Sequence, residues 1–454
     1  MQLLQVAYNL ADTIFLGWYD PTAVAAINLA FPLLFFLISI AGGFTTAGSI
    51  LVAQYTGSDS ARSAGRVAGQ TLAFVGVLSV TLAGIGLVAL EPALAALPTD
   101  PATGAEVLPQ MEAYLSILFA GIPFIFGFYV FSSVMRGYGD TRTPMAVMLV
   151  TVALNVVLDP IAIFGLGAVP EMGIQGAALA SVFARGVATV AGVAILFGTD
   201  RGPAVGLADL RLESETVREI VSIGTPTAIE QSMTSSAMIV LTVFVAQFGP
   251  PVAAGYGVVN RLVSLVLLPA LGMGRATNTL VGQNLGAEKP DRAARGVWLA
   301  ASVVGGVMIV VAAIAAIAPE PIVTVFLQAE TEHTAESIRH ATTYLRIRAV
   351  EFAFMGVLQV VLGAFRGAGN TKTALAVSIV TLWIVRVPVT YALAIAGEWG
   401  PMGLWVGMAL GDIVAALVAI PWFLRGTWRE AVIDNESASI LDRLQALVGS
   451  LHNR

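Results

Sequence analysis

Twelve apolar runs, bounded by charged or Gly/Pro loops, divide these 454 residues, of which 57% are hydrophobic and 11% charged. Hydrocarbon offers no partner for a backbone N–H or C=O, so runs of about 20 apolar residues cross it as helices. The expected spans are 2–19, 24–56, 63–90, 110–136, 141–164 and 173–198, then 219–247, 252–285, 292–318, 338–365, 371–396 and 401–424. The first is marginal in length. An all-α polytopic membrane protein follows.

Loop charges test that count. Arg62 and Arg66 follow span 2, Arg136 and Arg142 flank the loop after span 4, and Arg201, Arg211 and Arg218 separate spans 6 and 7. Lys289, Arg292 and Arg295 follow span 8, Arg366 and Lys372 flank the loop after span 10, and Arg425 and Arg429 follow span 12. The odd-numbered loops instead carry Asp20, Asp100, Glu106, Glu171, Glu320, Glu330, Glu332, Glu336 and Glu398 against Arg339. The positive-inside rule then puts both termini of a multi-pass plasma-membrane protein in the cytoplasm. The net charge of −6 comes with two lysines, Lys289 and Lys372, against 21 arginines (23 − 2), a balance that suggests a salt-adapted or GC-rich source.

The two halves repeat. Gln54 and Gly57 recur as Gln283 and Gly286, a shift of 229, and Arg136-Gly137-Tyr138-Gly139-Asp140-Thr141 recurs as Arg366-Gly367-Ala368-Gly369-Asn370-Thr371, a shift of 230. Tyr114-Leu115 matches Tyr344-Leu345, and Met172-Gly173 matches Met402-Gly403. Halves of even span number share one orientation, so the repeat is parallel, about an axis along the membrane normal. The expected organisation is a six-helix lobe over 1–200, a cytoplasmic linker over 201–218, a second six-helix lobe over 219–425 and a polar tail over 426–454. Within the tail, Ile440, Leu441, Leu444, Leu447, Val448 and Leu451 follow the spacing of a short amphipathic helix. The repeat sets Met1 opposite Glu230, so span 1 is expected to be short by about ten residues at its start, with a misassigned translation start as the preferred cause. No cleavable signal peptide is visible, because no basic region precedes the first apolar run.

The chain has no cysteine, which excludes disulfides, thiolate metal sites and Cys nucleophiles. His333, His340 and His452 do not pair at ligand spacing, which argues against a zinc enzyme.

The costliest residues are carboxylates inside spans, at roughly 2.5–3.5 kcal/mol each on insertion scales. In Asn155-Val156-Val157-Leu158-Asp159-Pro160, Asn155 and Asp159 share a helix face and Pro160 leaves the Val156 carbonyl without its helical donor. Asp12 in span 1 is the second such carboxylate, with Tyr8 and Gln5 on its face. Asp12 lies eight residues from Asp20, Asp159 eight from Gly167 and Ser181 eight from Gly173. At about 1.5 Å per residue all three sit roughly 12 Å below the outer surface, with Asn155 a turn deeper. Two carboxylates, an amide and a hydroxyl at one level suit sodium, or share a proton. The alternative is a set of structural polar residues joining helices.

The second half has no such pair, since Asp12 maps to Leu241 and Asp159 to Val389. By depth, Glu230 is expected to meet Arg275, and Glu351 to meet Arg386, as structural ion pairs. Arg185, Arg261, Arg346, Arg348 and Asp412 are candidates for lining water. Tyr19-Asp20 and Gly137-Tyr138-Gly139-Asp140 imitate the YD and GxGD motifs of intramembrane aspartyl proteases. Here the two aspartates fall about a membrane apart, and the repeat replaces Asp140 with Asn370, so no enzyme is expected.

Asn9-Leu10-Ala11-Asp12-Thr13, Arg136 to Pro144, Asn155 to Pro160 and Val281 to Ala287 together resemble the multidrug and toxic compound extrusion (MATE) family, in its DinF-like and archaeal branch. The resemblance runs through essentially the whole chain. It implies twelve helices in two six-helix lobes and export of organic compounds in exchange for sodium or protons. It also implies a first-lobe cation site on Asp12, Asn155, Asp159 and Ser181, the serine standing where a threonine is usual. Gln5, Tyr8, Tyr114, Ser132 and Met148 match positions that resemble the family's first-lobe cavity lining. Three features depart from the family. Span 1 lacks a proline proposed to bend it, Val263 stands where many members have a glutamate, and the second-lobe acidic positions of the NorM-like branch are unmatched.

The function expected is therefore a secondary antiporter, coupled by the first lobe, that exports cationic or amphipathic organic compounds. No cofactor is expected beyond Na+ or H+ as coupling ion. The partners expected are the organic substrate and the bilayer, with no nucleic acid, and the protein is expected to act as a monomer. A flippase for a lipid-linked precursor, served by Arg185, Arg261 and Arg275, is the alternative reading, and a non-transporting scaffold is disfavoured by the buried carboxylates.

Overall fold

A computed structural model of the protein describes residues 2–95, 101–327, 332–430 and 432–433. In the first half the long helices are α1 (Gln2–Tyr19), α2 (Pro21–Gly57), α3 (Ala61–Ala95), α4 (Leu108–Tyr138), α5 (Arg142–Phe164) and α6 (Gly173–Gly198). The second half holds α7 (Ser214–Ala246), α8 (Pro250–Gly286), α9 (Pro290–Ile317), α10 (Glu332–Gly367), α11 (Thr371–Ala396) and α12 (Pro401–Leu424). Among the described residues there is no strand, and the eleven helices from α2 to α12 are long and apolar enough to cross a membrane. α1 is 18 residues long and carries Gln5, Tyr8 and Asp12 on one face, the signature of a helix turned toward protein or water rather than lipid. The expected amphipathic tail helix lies outside the described residues.

Local chemistry sets the ends. Proline opens α2, α8, α9 and α12, where its missing N–H is one the first turn leaves unpaired in any case. Asp20 caps α2, its carboxylate accepting from the Thr22 N–H at 2.8 Å and the Thr22 hydroxyl at 2.6 Å. α11 departs from the regular helix expected. Residues Val380–Arg386 and Ala392–Ala396 are wound as π-helix on either side of Pro388, which supplies no N–H to the turn beneath it.

The duplicated sequence folds as a duplicated structure. In the first lobe α4 packs against α2, α3 and α6, and α1 against α5; in the second α10 packs against α8, α9 and α12, and α7 against α11. α4 and α10 are the axes of their lobes, with 61% and 67% of their apolar windows buried. Each lobe has its own apolar core, one centred on residues such as Leu115, Phe126 and Phe131, the other on Tyr344, Phe352 and Trp405. Between them, the linker runs back along α3, held where Arg62 pairs with Asp209 at 2.9 Å and Gln70 Oε1 accepts from the Glu213 N–H at 3.1 Å.

The lobes join chiefly through α2, which lies against α7 and α8. At the arginine-bearing end the join is reciprocal. Gln54 Nε2 donates to the Gly367 carbonyl at 3.1 Å, and its repeat mate Gln283 donates to the Gly137 carbonyl at 3.1 Å. Gly57 and Gly286 let the backbones touch there, because a Cβ on Gly57 would stand 1.9 Å from the Gln283 carbonyl oxygen and one on Gly286 1.9 Å from that of Gln54. The symmetry breaks at one point. Gln54 Oε1 also accepts from the Val432 N–H at 2.9 Å and the Ile433 N–H at 3.3 Å, which ties the segment after α12 into the join.

Candidate functional site

Three helices of the first lobe converge on one polar cluster. Spacing along α1 places Gln5, Tyr8 and Asp12 on its inner face, α5 contributes Asn155 and Asp159 one turn apart, and α6 contributes Ser181. Asn155 and Asp159 are fully buried, Tyr8 and Ser181 nearly so, and Asp12 partly. The Tyr8 hydroxyl donates to Ser181 Oγ at 2.6 Å, and Ser181 Oγ in turn reaches Asp12 Oδ2 at 3.4 Å. Asn155 Nδ2 donates to Asp159 Oδ1 at 2.9 Å. The Asp12 and Asp159 carboxyls lie near enough for each to feel the other's charge.

These bonds leave three acceptors over. Asp12 Oδ1, Asn155 Oδ1 and Asp159 Oδ2 are all buried without a hydrogen-bond partner among the described residues. An unpaired buried acceptor costs about 1–3 kcal/mol, more when charged, so three of them on one cluster call for a positive ligand. The donor set is all oxygen and suits a hard monovalent cation or a proton.

The cavity candidates divide. Gln5, Tyr8 and Met148 gather around Arg185, which donates from Nη2 to Gln5 Oε1 at 2.7 Å and from Nη1 toward Met148 Sδ at 3.6 Å. Its guanidinium carbon stands 5.0 Å over the Tyr8 ring. Tyr114 is buried on α4, close enough to feel the charges of Asp12 and Asp159. Ser132 lies eighteen residues further along α4 (132 − 114), roughly 27 Å away by helical rise, where it accepts from Arg136 Nη1. It lies toward the arginine-bearing end, well away from the polar cluster. Arg185 was legible only as a charge near water. The signal for more was its spacing, since it falls four residues after Ser181 on the same face of α6.

The second lobe corrects both expected ion pairs. Glu230 is held by Arg366, at 2.6 Å to Nη2, and by the Ser378 hydroxyl at 2.8 Å, while the Arg275 side chain is exposed on α8. Glu351 pairs with Arg348 at 2.5 Å, and Arg386 with Asp412 at 3.3 Å, while Arg348 also lies 3.8 Å from Asp412. Counting residues from a loop fixes depth but not the side of the helix, and side decides the partner. A stack of Tyr256, Tyr344 and Trp405 fills the space beside these charges. An apolar cleft of about 200 Å³ lies between α5 and α6, with Val150, Thr151, Val187 and Ala188 in its lining.

The protease-like aspartates are helix caps. Asp20 sits at the acidic end of α2, bonded also by Gln110 Nε2 at 3.0 Å, and Asp140 at the arginine-bearing start of α5, accepting from the Arg142 N–H at 2.8 Å and the Thr143 N–H at 3.1 Å. They lie at opposite ends of the helices.

Comparison with known proteins matches both halves. The MatE family profile fits residues 1–161 and 226–392. The probable multidrug resistance protein YoeA of Bacillus subtilis is 29% identical over 424 residues, covering 92% of this chain and 88% of its own length. The probable multidrug resistance protein NorM of Thermotoga maritima is 28% identical over 440 residues, covering 96% and 92%. A multidrug resistance MATE transporter solved in an outward-facing conformation superposes with a TM-score of 0.82 at 26% identity, over 93% of this chain and 91% of that one. With both lobes matched and the duplicated twelve-helix fold in place, the chain belongs to the MATE family of membrane transporters.

Proposed function

We propose that the protein is a secondary antiporter of the plasma membrane that exports organic, cationic or amphipathic compounds in exchange for Na+ or H+. The observation that carries this reading is the trio of unpartnered oxygens on Asp12, Asn155 and Asp159. With Ser181 they form the coupling site, and the relatives' printed names support multidrug export as the work it drives. The arginine-bearing end is cytoplasmic, as are both termini, and the protein acts as a monomer.

The mechanism follows from which helix holds which atom. Loading the site draws α1, α5 and α6 toward one ion or proton. Asp12 shares a face of α1 with Gln5 and Tyr8, so moving Asp12 moves the cavity wall. Substrate and cation then occupy one lobe in alternation, and the lobes rock about α2, α7 and α8 to change the side of access. The flippase alternative is not favoured, because the relatives are named as multidrug resistance proteins and Arg185 is engaged inside its own lobe.

The test is export of a cationic dye by purified protein in liposomes under an imposed sodium or proton gradient. Asp12→Asn and Asp159→Asn should each abolish gradient-driven transport while the protein still elutes as a single folded species. Transport that survives either substitution unchanged refutes the assignment.

A further inference from the structure

Arg185 is a buried charge that forms no ion pair with a carboxylate among the described residues. It is 4% exposed on α6, one turn from Ser181. Its hydrogen-bond partners are the Gln5 amide and the Met148 thioether, and its guanidinium carbon stands 5.0 Å over the Tyr8 ring and 5.3 Å over the Phe128 ring. Every one of these groups is neutral. They hold the guanidinium by dipoles and ring faces, and arginine stays protonated in any protein environment. Tyr8 connects it to the coupling site, because the ring lies under Arg185 and the hydroxyl donates to Ser181, which reaches Asp12.

The charge sum separates the two lobes. Arg348 and Arg386 balance Glu351 and Asp412 in the second lobe, so that network is neutral as it stands. In the first lobe Asp12 and Asp159, with both carboxyls ionised, stand against the single charge of Arg185, a sum of −1 (−2 + 1). One added positive charge neutralises it. A divalent ion would leave a net positive charge in a poorly solvated setting, which costs as much in kind as the negative charge it replaced.

We propose that Arg185 is a built-in counter-cation that limits the first-lobe site to one added positive charge and excludes divalent cations. The proposal rests on the reading of Asp12, Asn155, Asp159 and Ser181 as the coupling site. Without Arg185 the same oxygens would carry −2, a set of two carboxylates, an amide and a hydroxyl suited to Ca2+.

The experiment is calorimetric titration of CaCl2 into detergent-purified protein, paired with dye export from liposomes with and without calcium. The wild-type protein and Arg185→Lys should bind no calcium across roughly the millimolar range in which weak protein sites fill. Arg185→Met and Arg185→Gln should bind about one Ca2+ per molecule in that range, and their export should fall about tenfold when calcium is added. Adding Asp159→Asn to Arg185→Met restores the sum of −1 and should remove the calcium binding. Monodisperse Arg185→Met and Arg185→Gln that bind no calcium, or a wild-type protein that binds it equally, overturn the proposal. The coupling-site reading fails by a different result, survival of gradient-driven export in Asp12→Asn or Asp159→Asn.

Discussion

Removing Gln54 should open the arginine-bearing end of the molecule more than removing Gln283, although the two are repeat mates. Gln283 holds the other lobe by one bond at 3.1 Å, to the Gly137 carbonyl. Gln54 holds it by the equivalent bond at 3.1 Å and by two more, from the Val432 N–H at 2.9 Å and the Ile433 N–H at 3.3 Å. At a net 0.5–1.5 kcal/mol per bond, Gln283→Ala weakens the closed state by about 1 kcal/mol and Gln54→Ala by about 2–3. With roughly tenfold per 1.4 kcal/mol, the closed-to-open ratio falls about fivefold in the first case and about thirtyfold or more in the second. The native chain has no cysteine, so two introduced ones are the only labelling sites. Arg142 and Lys372 are repeat mates with exposed side chains, at the start of α5 and α11. Spin labels on Arg142→Cys and Lys372→Cys, read by pulsed dipolar spectroscopy, should show a single short distance when the join is intact. A longer population should grow in Gln283→Ala, more in Gln54→Ala and most in the double variant. Equal effects from the two single variants would refute the role given to the segment after α12, and no effect from either would refute the latch.

Three further outcomes are expected. Tyr8→Phe removes the donor at 2.6 Å to Ser181, and loss of about 1 kcal/mol should raise the half-saturating coupling-ion concentration about fivefold, read from initial export rates. Glu351→Leu strips Arg348 of its 2.5 Å partner and leaves Asp412 at 3.8 Å, so thermal unfolding in detergent should show a loss of about 3–5 kcal/mol. Asp20 has its carboxyl held below the usual range by hydrogen bonds from the Thr22 hydroxyl and N–H and from Gln110. Its depressed value adds stability that is present above the unfolded carboxyl's range, near pH 4, and is lost as pH falls through the folded value. Asp20→Ala should therefore unfold more easily at neutral pH, by the 0.5–2 kcal/mol typical of a lost cap, with the gap to wild type closing in acid.

Much of the fold was legible because hydrocarbon permits so few solutions. The expected spans 173–198, 371–396 and 401–424 coincide with α6, α11 and α12, where glycine, proline and charged loops stop the helix at the apolar boundary. Elsewhere the helix outruns the apolar run. α7 begins at Ser214 against an expected 219, and α10 at Glu332 against 338, because a helix once nucleated continues into water while its residues permit. The π-turns of α11 were not legible, since winding by one extra residue leaves hydropathy unchanged. The repeat named Gln54, Gly57, Gln283 and Gly286 without revealing their work, which exists only once two lobes meet.

The site was legible to the extent that depth alone determines contact. Asp12, Asp159 and Ser181 sit on helices adjacent in space, α1 beside α5 and α5 beside α6, so equal depth brought them together. Glu230 and Arg275 also matched in depth, yet Arg366 reached Glu230 first because α10 supplies it from the lobe's centre. The difference between the lobes is then a difference in bookkeeping of charge. The second lobe buries four charges that cancel, and a cancelled set can only be structural until one member leaves. The first lobe sets Asp12 and Asp159 against Arg185, which do not cancel when both carboxyls are ionised. Its three unpartnered oxygens lie near no opposite charge that pairs with them, whereas the unbonded atoms of Arg348, Glu351 and Arg386 belong to ion-paired residues. A fold under selection for stability alone would remove such a remainder, since each unpaired acceptor works against folding. On the proposed reading, a remainder distributed over α1, α5 and α6, which no single helix satisfies, lets one added charge change how the three pack.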